Sequence, residues 1–444
     1  MKALAALALL VACGHKETPP AAGDAAARPI DAAIRDAVEI DAPQAAAKPT
    51  VKKLVAAGAS TCAVMSDKTV RCWGANGFGQ LGDGGQTDAA TPVTPKLRGI
   101  EDIAFGAAHA CALLDDGSIA CWGKIGVGKK QIAAGPTAVP GVTNAMRVFG
   151  QGAAGCATVA DDSLVCWGDI TAKGRIRADG GAIEFRGPTP VVGLDHVIAL
   201  GANGALRDDG GVYYIGGDGE PVRTAIANAA EIASTGSTLC ARLASGVVQC
   251  VGGKPLCASA VEAAKPEAKP MKAVPKQPAK PVKGKKPSKA PKTVTKPAAK
   301  PAVKPEKHDL VLETLKLPAA RHLAFSVDGI CVVTATGKLQ CLDGGNACKA
   351  DAPWPELAKL DLVSDHCARS TEGAVKCWTG DGKKRVVTTI AGAAGSSLLA
   401  AGTAHACAIV EDRIGCWGKN DHGQLGRGAV DGEAHPEAAP VKLP

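Results

Sequence analysis

A short pattern that recurs along the chain constrains the fold more than any other feature. A cysteine is followed ten positions later by a second cysteine, which often begins a triplet such as Cys121-Trp122-Gly123. Self-similarity of this kind is the signature of a repeat architecture. The seven pairs are Cys62 and Cys72, Cys111 and Cys121, Cys156 and Cys166, Cys240 and Cys250, Cys331 and Cys341, Cys367 and Cys377, and Cys407 and Cys416. The last pair has a spacing of nine and the other six have a spacing of ten. An eighth copy at 204–216 has neither cysteine, so the sequence predicts eight similar units.

The spacing predicts a β-hairpin in each unit. If the two cysteines lie opposite each other on antiparallel strands, a spacing of ten leaves three residues for the loop. Such loops need a left-handed residue at the third place, and glycine supplies it without steric cost. The glycines at this place are Gly117, Gly210, Gly246, Gly337 and Gly373. The turn residues and the cysteine spacing therefore indicate the same hairpin.

The cysteines themselves predict disulfides. Residues that face each other as a non-hydrogen-bonded pair lie close enough for a disulfide, and we expect one across each of the seven hairpins. The copy with Gly204 and Tyr214 supports this pairing, because it has lost both cysteines together. Buried thiols that pack between units are the alternative. Cys257 and Cys348 each follow the second cysteine of their own repeat by seven residues, and they either bridge two neighbouring loops or remain free thiols.

Two copies continue beyond Cys-Trp-Gly with a longer motif, Asn-x-x-Gly-Gln-Leu-Gly, at 76–82 and 420–426. Together with Gly-x-x-His-x-Cys-Ala-Leu and Asp-Gly, it resembles the regulator of chromosome condensation repeat over about 54–253 and 311–444. Members of that family are β-propellers with four-stranded blades, so the resemblance implies an all-β propeller. The count of hairpins favours eight blades, and seven, the usual number in the family, is the alternative.

The two ends of the repeat array predict how the ring closes. The sequence at 440–443 resembles 92–97 in the first copy, and 51–56 resembles the segment that comes after such a strand. We therefore expect the C-terminal strand to complete the blade that the N-terminal units begin. This pairing would remove a free strand edge.

The N-terminus predicts export and lipid attachment. Residues 1–12 hold one lysine and then an apolar run that is too short to span a bilayer, which is typical of a signal peptide. The sequence Leu10-Val11-Ala12-Cys13 resembles the lipobox of bacterial lipoproteins, which implies cleavage before Cys13, acylation of its thiol and membrane anchoring. Gly14 in place of aspartate favours the outer membrane, at its periplasmic face or the cell surface. An ordinary signal peptide with a chance cysteine is the alternative.

Composition divides the rest of the chain. Residues 13–50, rich in Ala, Pro and Asp, predict a disordered tether. Residues 259–308, rich in Lys, Pro and Ala, predict a disordered insert between two propeller parts, 51–258 and 309–444. The whole chain carries +8 and the insert stretch 265–307 carries +12, so the remainder is −4. The insert could bind a polyanion of the cell envelope, or it is a solvated spacer without a partner.

The sequence predicts a binding protein rather than an enzyme. It contains no nucleophile elbow, zinc-protease helix or phosphate loop, and we expect no catalytic residue, metal, cofactor or small-molecule substrate. His109 and His405, each two residues before a cysteine, are interpreted as repeat packing rather than metal ligands. Paired aspartates at 115–116, 161–162 and 208–209 are interpreted as turn residues.

We therefore expect a lipid-anchored propeller that binds an unknown protein or glycan ligand. A signal peptide and lipobox exclude the nucleotide-exchange activity that the family resemblance would otherwise imply. Inhibition of a hydrolase is an alternative, because similar propellers include the proteinaceous inhibitor of β-lactamase. Binding of a polyanion through the insert is a further alternative. Seventeen cysteines agree with an oxidising compartment.

Overall fold

The computed structural model describes residues 48–125, 132–170, 185–215, 221–235, 238–252, 310–326, 329–342, 357, 359–364, 366–379 and 386–443. These residues form 31 β-strands arranged as an eight-bladed β-propeller. The expectations of an all-β fold and of eight blades are confirmed. Among the described residues, no helix is long and apolar enough to cross a membrane. The signal peptide, Cys13, nearly all of the tether, Cys257, the insert and Cys348 lie outside the described residues.

Each blade is a sheet of consecutive strands joined antiparallel. The first four blades comprise β1 (Val51–Ala57), β2 (Ser60–Met65), β3 (Val70–Gly74) and β4 (Ala89–Val93); β5 (Ile100–Phe105), β6 (His109–Leu114), β7 (Ile119–Lys124) and β8 (Ile132–Ala138); β9 (Ala145–Gln151), β10 (Ala154–Val159), β11 (Ser163–Asp169) and β12 (Phe185–Asp195); and β13 (Val197–Gly201), β14 (Gly204–Arg207), β15 (Val212–Tyr214) and β16 (Val222–Arg223).

The sixth blade has three strands within the described residues, and the others have four. Blades five to eight comprise β17 (Ala229–Thr235), β18 (Thr238–Leu243), β19 (Val248–Gly252) and β20 (Val311–Thr314); β21 (Ala320–Ser326), β22 (Gly329–Thr334) and β23 (Leu339–Leu342); β24 (Leu360–Ser364), β25 (Cys367–Ser370), β26 (Val375–Thr379) and β27 (Val386–Thr389); and β28 (Leu398–Ala401), β29 (His405–Val410), β30 (Arg413–Lys419) and β31 (Ala434–Pro440).

The prediction for ring closure is wrong. The last strand, β31, pairs with β30 in the eighth blade, whereas β1 pairs with β2 in the first. The end of the chain resembles 92–97 because β31 and β4 hold the same place, the fourth strand, each in its own blade. The ring is closed instead by contacts between complete blades, such as the 2.8 Å hydrogen bond from the Thr403 N–H to the Gly58 carbonyl.

The hairpins have the predicted register. All seven predicted disulfides are formed, and their Cα atoms lie 4.0–4.1 Å apart. The third loop residue has a positive φ, as at Gly117 (75°), and Lys68 and Asp162 adopt the same conformation in the two units that lack this glycine. In the eighth blade the spacing of nine leaves only Glu411 and Asp412 for the loop. Both have positive φ, as a two-residue type I′ turn requires.

The loop glycines also allow the next blade to approach. A Cβ atom on Gly117 would lie 2.9 Å from the Asn144 Cα atom, and one on Gly210 would lie 2.9 Å from the Asn228 Cα atom. The Ala145 N–H donates a 2.8 Å hydrogen bond to the Gly117 carbonyl. Each such turn therefore fastens the beginning of the following blade, a role that the hairpin pattern alone did not indicate.

The hydrophobic core lies between blades. One buried cluster joins Cys62 and Leu81 of the first blade to Ile103 and Trp122 of the second. The disulfides are part of these clusters, so they link the two middle strands of a blade at the interface with its neighbours. Burial of apolar surface between blades is the main favourable contribution to ring formation.

Candidate functional site

The motif Asn-x-x-Gly-Gln-Leu-Gly forms a loop with a fixed shape. In the first blade a connection of 14 residues, 75–88, joins β3 to β4, and we call it the first-blade loop. The Asn76 side-chain oxygen accepts a 2.9 Å hydrogen bond from the Leu81 N–H, and its amide donates to Asp83 Oδ1 at 3.0 Å. Gln80 Oε1 accepts from the Phe78 N–H at 2.9 Å. These local bonds explain why asparagine and glutamine occur at their positions.

The first-blade loop covers the tryptophan of the second blade. The Gln80 carbonyl accepts a 2.8 Å hydrogen bond from Trp122 Nε1, and Leu81 is completely buried beside the indole. Gly82 lies against the ring, where an added Cβ atom would come within 2.8 Å of it. The three residues therefore have separate roles at the Trp122 indole: the Gln80 carbonyl accepts its hydrogen bond, Leu81 packs beside it, and Gly82 allows the backbone to lie close to the ring.

The same loop contacts the fourth strand of the second blade. The Gly84 N–H donates a 3.0 Å hydrogen bond to the Ala134 carbonyl in β8. A Cβ atom on Gly79 would lie 2.6 Å from the Ala134 Cα atom. The loop therefore contacts the second blade at two places, the indole of Trp122 and the backbone of β8.

The second copy of the motif repeats this arrangement across the point where the ring closes. The connection 420–433, which we call the eighth-blade loop, joins β30 to β31. Its Gln424 carbonyl accepts a 2.9 Å hydrogen bond from Trp73 Nε1, and Leu425 is buried in the same cluster as Trp73. The Gly428 N–H donates to the Ala90 carbonyl in β4 at 2.7 Å. Each motif therefore completes the next blade around the ring.

The junction between the seventh and eighth blades has a cavity at the corresponding place. Its volume is about 520 Å³ and it is mainly apolar. Trp417 Nε1 lies 3.2 Å from Cys377 Sγ. The indole N–H groups of Trp73 and Trp122 instead donate to backbone carbonyls. The cavity is lined on the seventh blade by His366, Cys367, Cys377, Trp378, Thr388 and Ile390, and on the eighth by Thr403–Ala406, Trp417–Lys419 and Ala434–Pro436.

Both inserted loops also expose an apolar side chain. Phe78 is 41% exposed in the first-blade loop, and Val430 is 54% exposed in the eighth-blade loop. Lys124 Nζ lies 5.2 Å from the centre of the Phe78 ring, a cation–π geometry. The loops therefore present apolar groups on a backbone that is fixed by its contacts with the next blade.

His109 and His405 are buried between blades. His405 Nε2 is 2.7 Å from Thr61 Oγ1 across the closure of the ring. Gly155 holds the position corresponding to Thr61 opposite His109, and within the described part of the chain no hydroxyl meets that imidazole. Burial lowers the pKa of each histidine to about 4. Weaker effects act in the opposite direction: a hydrogen bond with the Ala154 backbone raises the pKa of His109, and the Asp421 charge raises that of His405. Both therefore occur as neutral imidazoles at neutral pH.

The paired aspartates act as turn residues, as expected. The Asp116 and Asp161 carboxylates each accept from the backbone N–H two residues ahead, at 2.9 and 3.1 Å. Asp209 does the same with the Gly211 N–H at 2.8 Å. Hydrogen bonds from Ser118 lower the pKa of Asp116, and the Gly211 N–H lowers that of Asp209. Their role is the geometry of the hairpin loop.

Within the described ranges, no group of three or more His, Cys, Asp or Glu side chains is placed to hold a metal ion. The predicted lipidation site Cys13 and the predicted pair Cys257 and Cys348 lie outside those ranges.

Sequence reasoning missed the interblade cavity. Connection length alone does not signal it. The connection from β26 to β27 has six residues and 75–88 and 420–433 have 14 each, but the seven-residue connection from β7 to β8 precedes Trp167, which is buried.

A sequence profile of the regulator of chromosome condensation (RCC1) repeat matches residues 51–80 and 100–124. These segments contain the first two disulfide hairpins and the beginning of the first-blade loop. The described residues form a β-propeller whose first two blades contain segments similar to the regulator of chromosome condensation repeat. No curated protein sequence gives a significant match to it.

Two solved structures show the same fold as this chain. Yeast RCC1 (Prp20), in its complex with Kap60, has 15% identity and a TM-score of 0.50, over 89% of this chain and 85% of that chain. Human WBSCR16 has 16% identity and a TM-score of 0.50, over 85% of this chain and 94% of that chain. At this identity the likeness to both concerns the fold alone.

Proposed function

We propose that this RCC1-repeat propeller is a lipid-anchored protein-binding module outside the cytoplasm. Seven disulfides in the described residues support an oxidising compartment, since cytosolic proteins rarely retain them. The apolar N-terminal run and the lipobox-like sequence before Cys13 support export and acylation. Attachment to the outer membrane, at its periplasmic face or the cell surface, is part of the proposal.

One observation carries the binding role: the two long loops are fixed to the scaffold yet present exposed apolar groups. Binding residues are often on loops that a rigid framework positions, and aromatic side chains are enriched in protein interfaces. Phe78 and Val430 fit that description. The similar yeast propeller was solved in complex with another protein, Kap60. We therefore favour a protein ligand over a glycan, and binding over catalysis.

The test uses the full chain in the cell that produces it, with chemical cross-linking of intact envelopes. We expect Phe78→Asp and Val430→Asp to decrease the yield of a defined cross-linked complex, because a charge would replace an apolar contact. Val192→Asp is the matched control, since Val192 is 67% exposed on β12 of the third blade. Equal yields from all three variants and the wild type would contradict the assignment of these loops.

The recovered partner separates binding from inhibition. An inhibitor should recover one hydrolase and block its activity, whereas a binding module should recover a partner without such an effect. The polyanion hypothesis has its own test, which is deletion of 259–308. It requires saturable, salt-sensitive binding of an anionic polymer that is lost on deletion; unchanged binding would eliminate it.

A further inference from the structure

The two filled junctions define what a loop supplies to the neighbouring blade. It gives a backbone carbonyl to the indole N–H, at 2.9 Å for Trp73 and 2.8 Å for Trp122. It buries a leucine, Leu425 or Leu81, without exposed area. It also donates a backbone N–H to the fourth strand of the receiving blade. The same three features at two junctions describe a binding motif within this chain.

The receiving framework is present at the junction between the seventh and eighth blades. The strand pairings of Gly74 with Ala89 and of Gly418 with His435 place Pro436 of β31 at the position of Ala90 in β4. Ala90 contacts the eighth-blade loop, whereas Pro436 lines the cavity. The indole and the outer strand therefore border the same space in both blades.

The connection that precedes this junction does not contain the motif. The segment 380–385, which joins β26 to β27, reads Gly-Asp-Gly-Lys-Lys-Arg and contains no leucine. Six residues cannot reproduce a 14-residue loop. The N–H of Trp417 meets the Cys377 sulfur instead, which is a weaker acceptor than a carbonyl.

We propose that the cavity beside Trp417 is a binding site for a loop of a partner protein that presents leucine followed by glycine. This inference rests on the proposed protein-binding function and names the chemistry of the partner. The leucine side chain enters the apolar cavity, the preceding carbonyl accepts from Trp417 Nε1, and a later N–H donates to the Pro436 carbonyl. The cavity volume of about 520 Å³ is within the range of ligand sites.

Charge and position favour a protein loop as the occupant. Lys419 lines the cavity and forms no salt bridge within the described part of the chain. It can therefore meet an acidic group such as Asp83, which follows Gly82 in the first-blade loop. The cavity also continues the series of interblade interfaces that loops of this chain already occupy. A partner loop would extend that series by one junction.

The probe is the 14-residue peptide of 75–88, labelled with a fluorophore and cyclised. Cyclisation is appropriate because Gly74 and Ala89, which flank the segment, are paired across β3 and β4. Fluorescence anisotropy with the full chain measures binding. We expect saturable one-to-one binding that weakens about tenfold or more when the peptide carries Leu81→Asp, because the cavity receives an apolar side chain.

Two protein variants locate the site. Ala434→Trp places a large group at the exposed rim of the cavity and should weaken binding about tenfold or more. Ile132→Trp is the matched control, because Ile132 of β8 holds the position of Ala434 beside a filled junction. It should leave the affinity unchanged. Circular dichroism verifies that both variants are folded.

Three results would overturn the inference: no saturable binding up to about 1 mM peptide, equal binding by Ala434→Trp and wild type, or equal affinity for the cyclic peptide and for N-acetyl-leucine amide. The last result would identify a small-molecule pocket instead. If envelope cross-linking still yields a complex that depends on Phe78 and Val430, the proposed function survives without this site. Loss of that complex as well would reject both.

Discussion

At the junction between the eighth and first blades, Leu425 lies buried beside Trp73, whereas at the junction between the seventh and eighth blades Trp417 borders a cavity. The two junctions share an indole, an outer strand and a disulfide hairpin. They differ in the connection that precedes them, which has 14 residues in one case and six in the other. The comparison shows that the loop motif of one repeat completes the next repeat. At the junction between the seventh and eighth blades, where the preceding connection is short, a cavity borders the indole instead.

The largest effect is expected where a loop fills a junction. Leu425→Ala should decrease the free energy of unfolding by about 4 kcal/mol, because it removes a completely buried side chain and leaves a cavity between two blades. Leu398→Ala, at a position that is 39% exposed in β28, is the control and should change stability little. Urea unfolding followed by tryptophan fluorescence measures both. A small effect of Leu425→Ala would mean that the inserted loop does not stabilise the ring.

Acidification should weaken the junctions that contain buried histidines. Because burial lowers the pKa of His405 from 6.5 to about 4, the unfolded chain binds a proton more readily than the folded one. This contribution is complete above pH 6.5, decreases as the pH falls and is exhausted near pH 4. It amounts to about 3 kcal/mol for His405, and His109 behaves alike.

The measurement is urea unfolding at pH 7.5 and 4.5. His405→Gln should lose less stability over this range than the wild type, since one of the two buried imidazoles is absent. The same change at His109, which faces Gly155 instead of Thr61, compares the two junctions directly. Equal losses in wild type and His405→Gln would contradict the pKa assignment.

Removal of a disulfide should have a somewhat smaller effect. The double change Cys62→Ala and Cys72→Ala should lower the unfolding free energy by about 2–3 kcal/mol, the value for a short closed loop. Introducing the missing pair into the fourth blade, by Gly204→Cys together with Tyr214→Cys, should not raise the unfolding free energy by a similar amount. A Cβ atom on Gly204 would lie 2.2 Å from a Leu239 methyl group of the fifth blade. A stabilised double-cysteine variant would refute that steric explanation.

The smallest effect is expected at a turn glycine. Gly117→Ala should cost about 1–2 kcal/mol, because its φ of 75° disfavours a side chain and Asn144 leaves no room for one. Gly77→Ala is the control, since a Cβ atom there meets no other atom within 4 Å. Thermal unfolding compares the two variants. Equal unfolding temperatures would show that the next blade does not depend on this turn.

Local features could be predicted from the sequence. The disulfide register and the left-handed glycines follow from spacing over ten residues, and the eight blades follow from the number of hairpins. Contacts between distant segments could not be predicted in this way. The bond from Trp73 to Gln424 joins residues 351 positions apart, and that between Thr61 and His405 joins residues 344 apart. The end of the chain resembles 92–97 because both segments form the fourth strand of a blade. The prediction wrongly took this similarity to mean that the last strand pairs within the first blade.

Lipid anchoring and disulfide linkage outside the cytoplasm can be tested together. The direct measurement is the intact mass of the full chain from the membrane fraction, after thiol alkylation with and without reductant. We predict a chain that begins at Cys13 with added acyl mass, and 14 hairpin cysteines that react only after reduction. A chain that retains residues 1–12 without acyl mass, and whose hairpin cysteines react without reductant, would contradict both the anchor and the oxidising compartment.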